Sequence, residues 1–321
     1  MASDAYNQMA QPRSRSGAAG RVGLRRRFMS RSNERIGYLF ILPSFIHLVV
    51  FLVIPIGFSL YLSFHDWNGP NFQDAPFIGL DHYRFLRGDT RFWNAMENTA
   101  YYTLLSVPLG MAISLLVAVV MNQKLRAVNL FRTLFFMPVI SSWVAVSIIW
   151  ITLLDPTSGI VNYLLTRIGL PSVQWLNDPT WAMPALVLIA IWKGLGFSMV
   201  IWLAGLQAIP AELQEAAALD GAGRWSSFWN ITLPLLAPTT FFLAITGVIG
   251  SFQVFAPMYV ITKGGPLDST NVVVFEIYRR AFTEFKMGYA SAQSWVLFAV
   301  IFTATLIQIT YMRRRGEQML F

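Results

Sequence analysis

Cysteine is absent from this chain, which excludes disulfide bridges, a thiol nucleophile and any thiolate-bound metal or iron–sulfur centre. Histidine is nearly absent. His47, His65 and His82 are the only three, none at ligand spacing from another, so no metal site is expected. Charge is thin as well: charged residues make up 12% of the chain, against roughly 25% in soluble domains. That excludes an ordinary water-facing enzyme, and the high apolar content excludes a disordered chain. Reactive motifs are also missing. None of the four lysines follows a glycine or precedes a serine or threonine, so the G-x-x-x-x-G-K-[ST] phosphate loop is absent. Neither H-E-x-x-H nor G-x-S-x-G occurs, and no catalytic residue is assigned.

What the chain has in abundance is apolar sequence, 55% of its 321 residues. Runs of the roughly 20 residues needed to cross hydrocarbon occur six times, near Ile36–Leu62, Asn98–Met121, Phe131–Leu154, Met183–Gln207, Leu235–Thr262 and Ala290–Met312. Too little polar sequence remains to cover six such helices in water. The expected fold is all-α, a polytopic membrane protein of six transmembrane helices. The first run follows a tail of some 35 residues and lacks a small-residue cleavage site, so it reads as a retained span.

Basic residues set the expected orientation. Eight lie in the tail 1–35, three at Lys124, Arg126 and Arg132, one at Arg224, and three at Arg313, Arg314 and Arg315. These fifteen face eight in the alternate loops, with Lys193 alone inside a span. The excess places both termini in the cytoplasm. The basic tail 1–35 then anchors topology, and nucleic acid is not an expected partner; residues 36–321 form one transmembrane domain. Asn71–Pro76 reads as turn-rich, and Thr270–Phe285 has the spacing of a helix lying on the outer surface.

The inner loop 208–234 carries the most information. Pro210 suits a first helical turn, Glu212 favours the positive helix end, and Gly221 stands where the helix should stop. Between them, Ala216, Ala217 and Ala218 combine high helix propensity with almost no bulk. Small side chains let a second surface approach the backbone, while Glu215 offers a charge to a basic partner. The reading is a short helix, a turn, and a second short helix launching the next span.

Glu215-Ala216-Ala217, Gly221, Ile231 and Leu233-Pro234 match the EAA signature of ABC importer permeases. Together with Thr262–Pro266 and Ile277–Phe282, they make the chain from about residue 36 onward resemble the carbohydrate branch, the subunits related to maltose and glycerol-3-phosphate permeases. The resemblance implies the type I importer transmembrane fold in a bacterial plasma membrane. Implied partners are a second homologous permease, two cytoplasmic ATPase subunits and an extracellular solute-binding protein. The chain itself then holds no cofactor, since the partner ATPases bind ATP and magnesium. Glu215, Ala216, Ala217, Gly221, Ile231, Leu233 and Pro234 would form the coupling segment.

The expected solute is a di- or oligosaccharide. Lys193 costs roughly 2.5–3.5 kcal/mol at a span centre and should face the bundle interior, either toward solute or paired with a carbonyl or partner subunit. By resemblance, Trp192, Lys193 and Gly194 border the solute, and Ser251 and Val254 line it. Ser251 and Gln253 add neutral hydrogen bonds, and Phe252, Phe255 and Tyr259 add rings, or pack as ordinary core. Ala256 departs from the acid that many sugar relatives carry there, and Pro257 should bend the helix. The alternative function is an ion-coupled secondary transporter without ATPase partners.

Overall fold

The protein is described by a computed structural model over residues 37–69, 75–123 and 127–314. The basic tail, Lys124, Arg126, Arg315 and most of the turn-rich stretch 71–76 lie outside the described residues. By its contacts the chain divides after Ser59. Up to that point it is the greater part of helix α1 (Gly37–Leu62). Pro55 has no amide proton for the residue-51 carbonyl, and here the helix widens to a π turn over Val49–Val53, with Ile54 N–H reaching the Val49 carbonyl. The large apolar side chains of this segment are exposed in the isolated chain, as a hydrocarbon-facing helix requires.

From Leu60 onward the unit contains α2 (Asp81–Gly88), α3 (Thr90–Met121), α4 (Val128–Ile140), α5 (Trp143–Leu153), α6 (Ile160–Arg167) and α7 (Pro179–Gln207). It continues with α8 (Ala211–Leu219), α9 (Arg224–Leu235), α10 (Ala237–Phe252), α11 (Val273–Tyr278) and α12 (Met287–Arg314). No strand occurs among the described residues; His65–Phe77 and Asn68–Lys286 form isolated bridges. Four helices, α1, α3, α7 and α12, are long and apolar enough to cross a membrane uninterrupted. The pairs α4–α5 and α9–α10 pass the same test only together, bent by 101° and 62°, giving six crossings if each pair counts as one. The third expected span is therefore broken. Pro138 removes one amide, and Ser142 caps α5 by accepting a hydrogen bond from Val144 N–H. The fifth is shorter than Leu235–Thr262: α10 stops at Phe252, and the chain passes through Gln253–Phe255 to a π turn at Met258–Thr262.

Helix α7 is the centre of this unit, packing against both α3 and α4. Small residues allow the approach. A side-chain carbon at Gly196 would meet the Phe135 carbonyl, so α7 and α4 touch backbone to backbone. Trp202, fully enclosed, donates from Nε1 to Ser114 Oγ of α3 at 3.2 Å. Around these contacts lie two apolar clusters, one with Tyr102, Leu186, Ile189 and Met258, the other with Ala118, Met199, Leu203 and Leu236.

One end of the unit is locked by charge. Asp89 caps α3 through Arg91 N–H and Phe92 N–H, and its second oxygen accepts from Tyr289 Oη at 2.6 Å and Arg280 at 3.2 Å. Glu276, fully buried, accepts from Arg279, Arg280 and Asn271. Arg280 also holds Glu284 at 2.8 Å. Burial alone would raise the Glu284 carboxyl, but the hydrogen bonds and charges of Arg280 and Lys286 outweigh it and hold it below its ordinary value. The stretch 270–285 thus contains a helix, α11, but not one lying on the surface. Val273, Phe275 and Glu276 are buried, with α11 packed against α3 and α12. Charge pairing, which helical spacing does not reveal, draws it inward.

Candidate functional site: a cavity at the broken spans

Where α4–α5 and α10 interrupt, the bundle leaves an open cavity of about 630 Å³. Its walls come from α3, the α4–α5 break, α7, α10 and the break that follows α10. Gly194, Ser251, Gln253, Val254, Phe255 and Lys193 all line it. Gly194 and Gly250 have nothing within 4 Å of where a side-chain carbon would stand, so each leaves open space. Ser251 donates to the Val248 carbonyl at 3.0 Å, and Phe255 stacks on Tyr259 with centroids 5.2 Å apart. Ala256 and Pro257 are also at the wall, where the chain resumes helix after the break. Trp192 is not a lining residue. Its ring instead meets Trp150 edge-on at 5.6 Å.

Sequence reasoning passed over part of the wall. Tyr102, Ser106 and Gly110 on α3, Trp143 on α5, Phe197 and Ser198 on α7, and Gly247 on α10 belong to it. A signal was present. Ser106–Gly110, Gly194–Ser198 and Gly247–Ser251 are each small pairs four residues apart, one face of a helix apiece.

Lys193 is the one charged side chain of this wall, and it is buried. Its ammonium donates to the carbonyls of Pro138 at 2.9 Å, Val139 at 3.3 Å and Ser141 at 2.8 Å. The Trp143 ring centroid lies 5.1 Å away. Three donors meet three acceptors, so no ammonium proton is left over for a solute in this arrangement.

At the opposite end of the unit from the charged lock, the inner loop is a helix, a turn and a second helix. Pro210 stands just before α8 as its N-cap rather than inside the first turn. Of α8 only Ala217 is buried; Glu215 and Ala216 are exposed, as are Leu213 and Leu219. Gly221 has φ +81°. Its N–H bonds the Ala218 carbonyl at 3.1 Å, and Ala222 N–H bonds Ala217 at 2.9 Å, the paired closure of a helix by a left-handed residue. In α9, Ile231 and Leu233 are half-buried and Pro234 is exposed. Trp225, also exposed, contacts Phe228 and Trp229. A nearly fully exposed alanine-rich helix with two projecting leucines is a surface without a partner in the isolated chain.

Comparison with known proteins gives this architecture a family. Residues 108–315 match the binding-protein-dependent transport system inner membrane component. A probable ABC transporter permease, YesP of Bacillus subtilis, is 40% identical over 86% of this chain and 90% of its own length. The lactose transport permease LacF of Rhizobium radiobacter is 34% identical over 87% and 94%. The structure also matches a chain of a bacterial alginate ABC transporter crystallised with an alginate pentasaccharide-bound periplasmic protein. The TM-score is 0.79 at 27% identity, over 90% of this chain and 98% of that one. The matched residues span more than half of the sequence, and the chain belongs to this family of membrane-spanning ABC transporter permeases, transport subunits without catalysis of their own.

Proposed function

We propose that this permease forms half of a carbohydrate import pathway, with the solute, a di- or oligosaccharide, held in the cavity at the broken spans. The cavity itself is the observation that carries this reading. Its volume falls in the roughly 300–1,000 Å³ range of small-molecule sites, and its wall mixes neutral hydrogen-bonding groups with rings. Ser251, Gln253 and Ser198 are suited to hydroxyls, and Phe255 to the apolar face of a pyranose. Gly194 leaves room, Val254 closes the wall, and Trp192 braces α7 from behind through Trp150. The lactose and alginate relatives support the solute class.

The same reading assigns α8 and α9 as the coupling element. Glu215 and Ala216 meet a groove on a cytoplasmic ATPase subunit, Gly221 makes the turn, Ala217, Ile231 and Leu233 seat the loop against the bundle, and the exposed Pro234 belongs to the coupling face. Two such ATPases, a second homologous permease and an extracellular binding protein complete the transporter. Both termini, including the basic tail 1–35, are then cytoplasmic, and α11 lies at the outer end.

Uptake measured in proteoliposomes containing the full complex is the test. ATP-dependent accumulation of a labelled oligosaccharide, lost when the binding protein is omitted, is the expected result. Accumulation that needs no ATP and collapses with an ionophore would instead establish an ion-coupled carrier.

A further inference from the structure

We propose that Lys193 is a positioning residue: it pins the 101° break between α4 and α5 and so sets one wall of the cavity, rather than gripping the solute. The break interrupts the carbonyl ladder. The last carbonyls of a helix lack i+4 amide partners; α4 ends at Ile140 with Ser141 and Ser142 extended before α5 begins, and the Pro138 carbonyl takes a 3.3 Å bond from Ser141 N–H. Two of the three acceptors of the Lys193 ammonium, Pro138 and Val139, lie in that last turn, and the third, Ser141, is its C-cap.

A cation at a helix C-terminus is also favoured by the helix dipole, which explains how a charge is tolerated here without a carboxylate. Among the described residues no acid forms an ion pair with it. The reach is short because Gly196, one turn further along α7, brings the two backbones into contact beside Phe135. On the far side of the break, the Trp143 ring under the ammonium ties the first residue of α5 to the same point. Val139 and Trp143 are both cavity-lining residues, so whatever holds the break holds that wall. The inference needs the cavity but not the identity of the solute.

The natural absence of cysteine makes the wall directly readable. Val139→Cys and, separately, Gly250→Cys on the α10 wall would each be the sole thiol of this chain. Their labelling by a polar methanethiosulfonate is followed in the assembled, solute-free complex, read on this subunit after electrophoretic separation. Lys193→Met is expected to change the Val139→Cys rate at least tenfold and the Gly250→Cys rate less than twofold. Lys193→Arg, which can still donate to several carbonyls, should keep both rates within twofold of the parent. Unchanged Val139→Cys labelling in Lys193→Met overturns the proposal, above all if the KM for uptake rises, because the lysine then acts on the solute. Equal changes at both walls overturn it too, since they indicate general loosening. If Lys193→Met fails to assemble, Lys193→Arg decides alone: parental labelling supports the pin, and a tenfold change rejects it. Labelling that no sugar protects would count against the solute reading while leaving the pin untouched.

Discussion

Gly194 and Gly221 are both glycines on the proposed functional surfaces, and the structure gives them opposite reasons. Gly194 lies inside a regular helix with open cavity beside it. Adding a methyl group there meets nothing and raises helix propensity by roughly 1 kcal/mol, so Gly194→Ala should leave the complex at least as thermally stable. Gly194→Leu should fill the cavity. The expected outcome is normal assembly with uptake reduced, and reduced more for longer oligosaccharides than for a disaccharide. Gly221 is conformational instead. Nothing surrounds it, but its φ of +81° costs an ordinary L-residue about 1–2 kcal/mol. Asn tolerates that region better than Ala or Leu. Solute-stimulated ATPase activity should therefore fall in the order Gly, Asn, Ala, Leu at this position. Equal activity for Asn and Leu would mean that the turn is not what couples.

At the scale of elements, the interrupted helices and the charged lock do different jobs. Breaks in α4–α5 and after α10 expose backbone only where it faces a cavity or is capped, the condition under which non-helical chain is tolerated at membrane depth. The lock around Glu276 adds ion pairs to the apolar packing of Val273 and Phe275 that holds α11 between α3 and α12. Glu276→Gln keeps the shape but leaves two arginines short of a buried partner, a loss on the order of 3 kcal/mol. The melting temperature of the purified complex should fall by several degrees, and Glu276→Ala should do worse. Acid should act on the same lock. Glu284 has a depressed carboxyl, so the stability it contributes is present above its unfolded value of 4.5 and lost as pH falls through the lower folded value. Thermal stability should show no pH dependence arising from Glu284 between pH 7 and pH 5, where its contribution is fully present. Below about 4.5, wild type should lose stability faster than Glu284→Gln.

For the molecule as a whole, the exposed α8 and the missing nucleotide loop belong together. In the proposed importer, a permease with no phosphate-binding loop of its own receives its energy through a surface. The purified chain alone should therefore show no ATP binding in equilibrium dialysis. Adding the ATPase subunits should protect residues 211–225 from limited proteolysis. Unchanged cleavage there in the assembled complex would remove α8 and α9 as the docking element.

The apolar runs behind the crossings, the inner loop and its turn, and the part of the cavity wall around Lys193–Gly194 and Ser251–Phe255 were legible in the sequence. Each is written locally: hydrocarbon thickness demands apolar length, a left-handed turn demands glycine, and a small pair at i and i+4 marks a close or open face. Other features depended on residues brought together from far along the chain. Lys193 was readable as an interior charge, but its partners lie more than fifty residues earlier, where Pro138 and two serines break α4 from α5. Trp192 is not among the lining residues because its ring packs against Trp150, a contact that local sequence does not show. The inward seat of α11 depends on Asp89, some 190 residues away from Arg280. Local composition determined what could cross the membrane. Only the tertiary structure decided which carbonyls take the cation and which residues line the cavity, because a donor can come from wherever the fold brings one close.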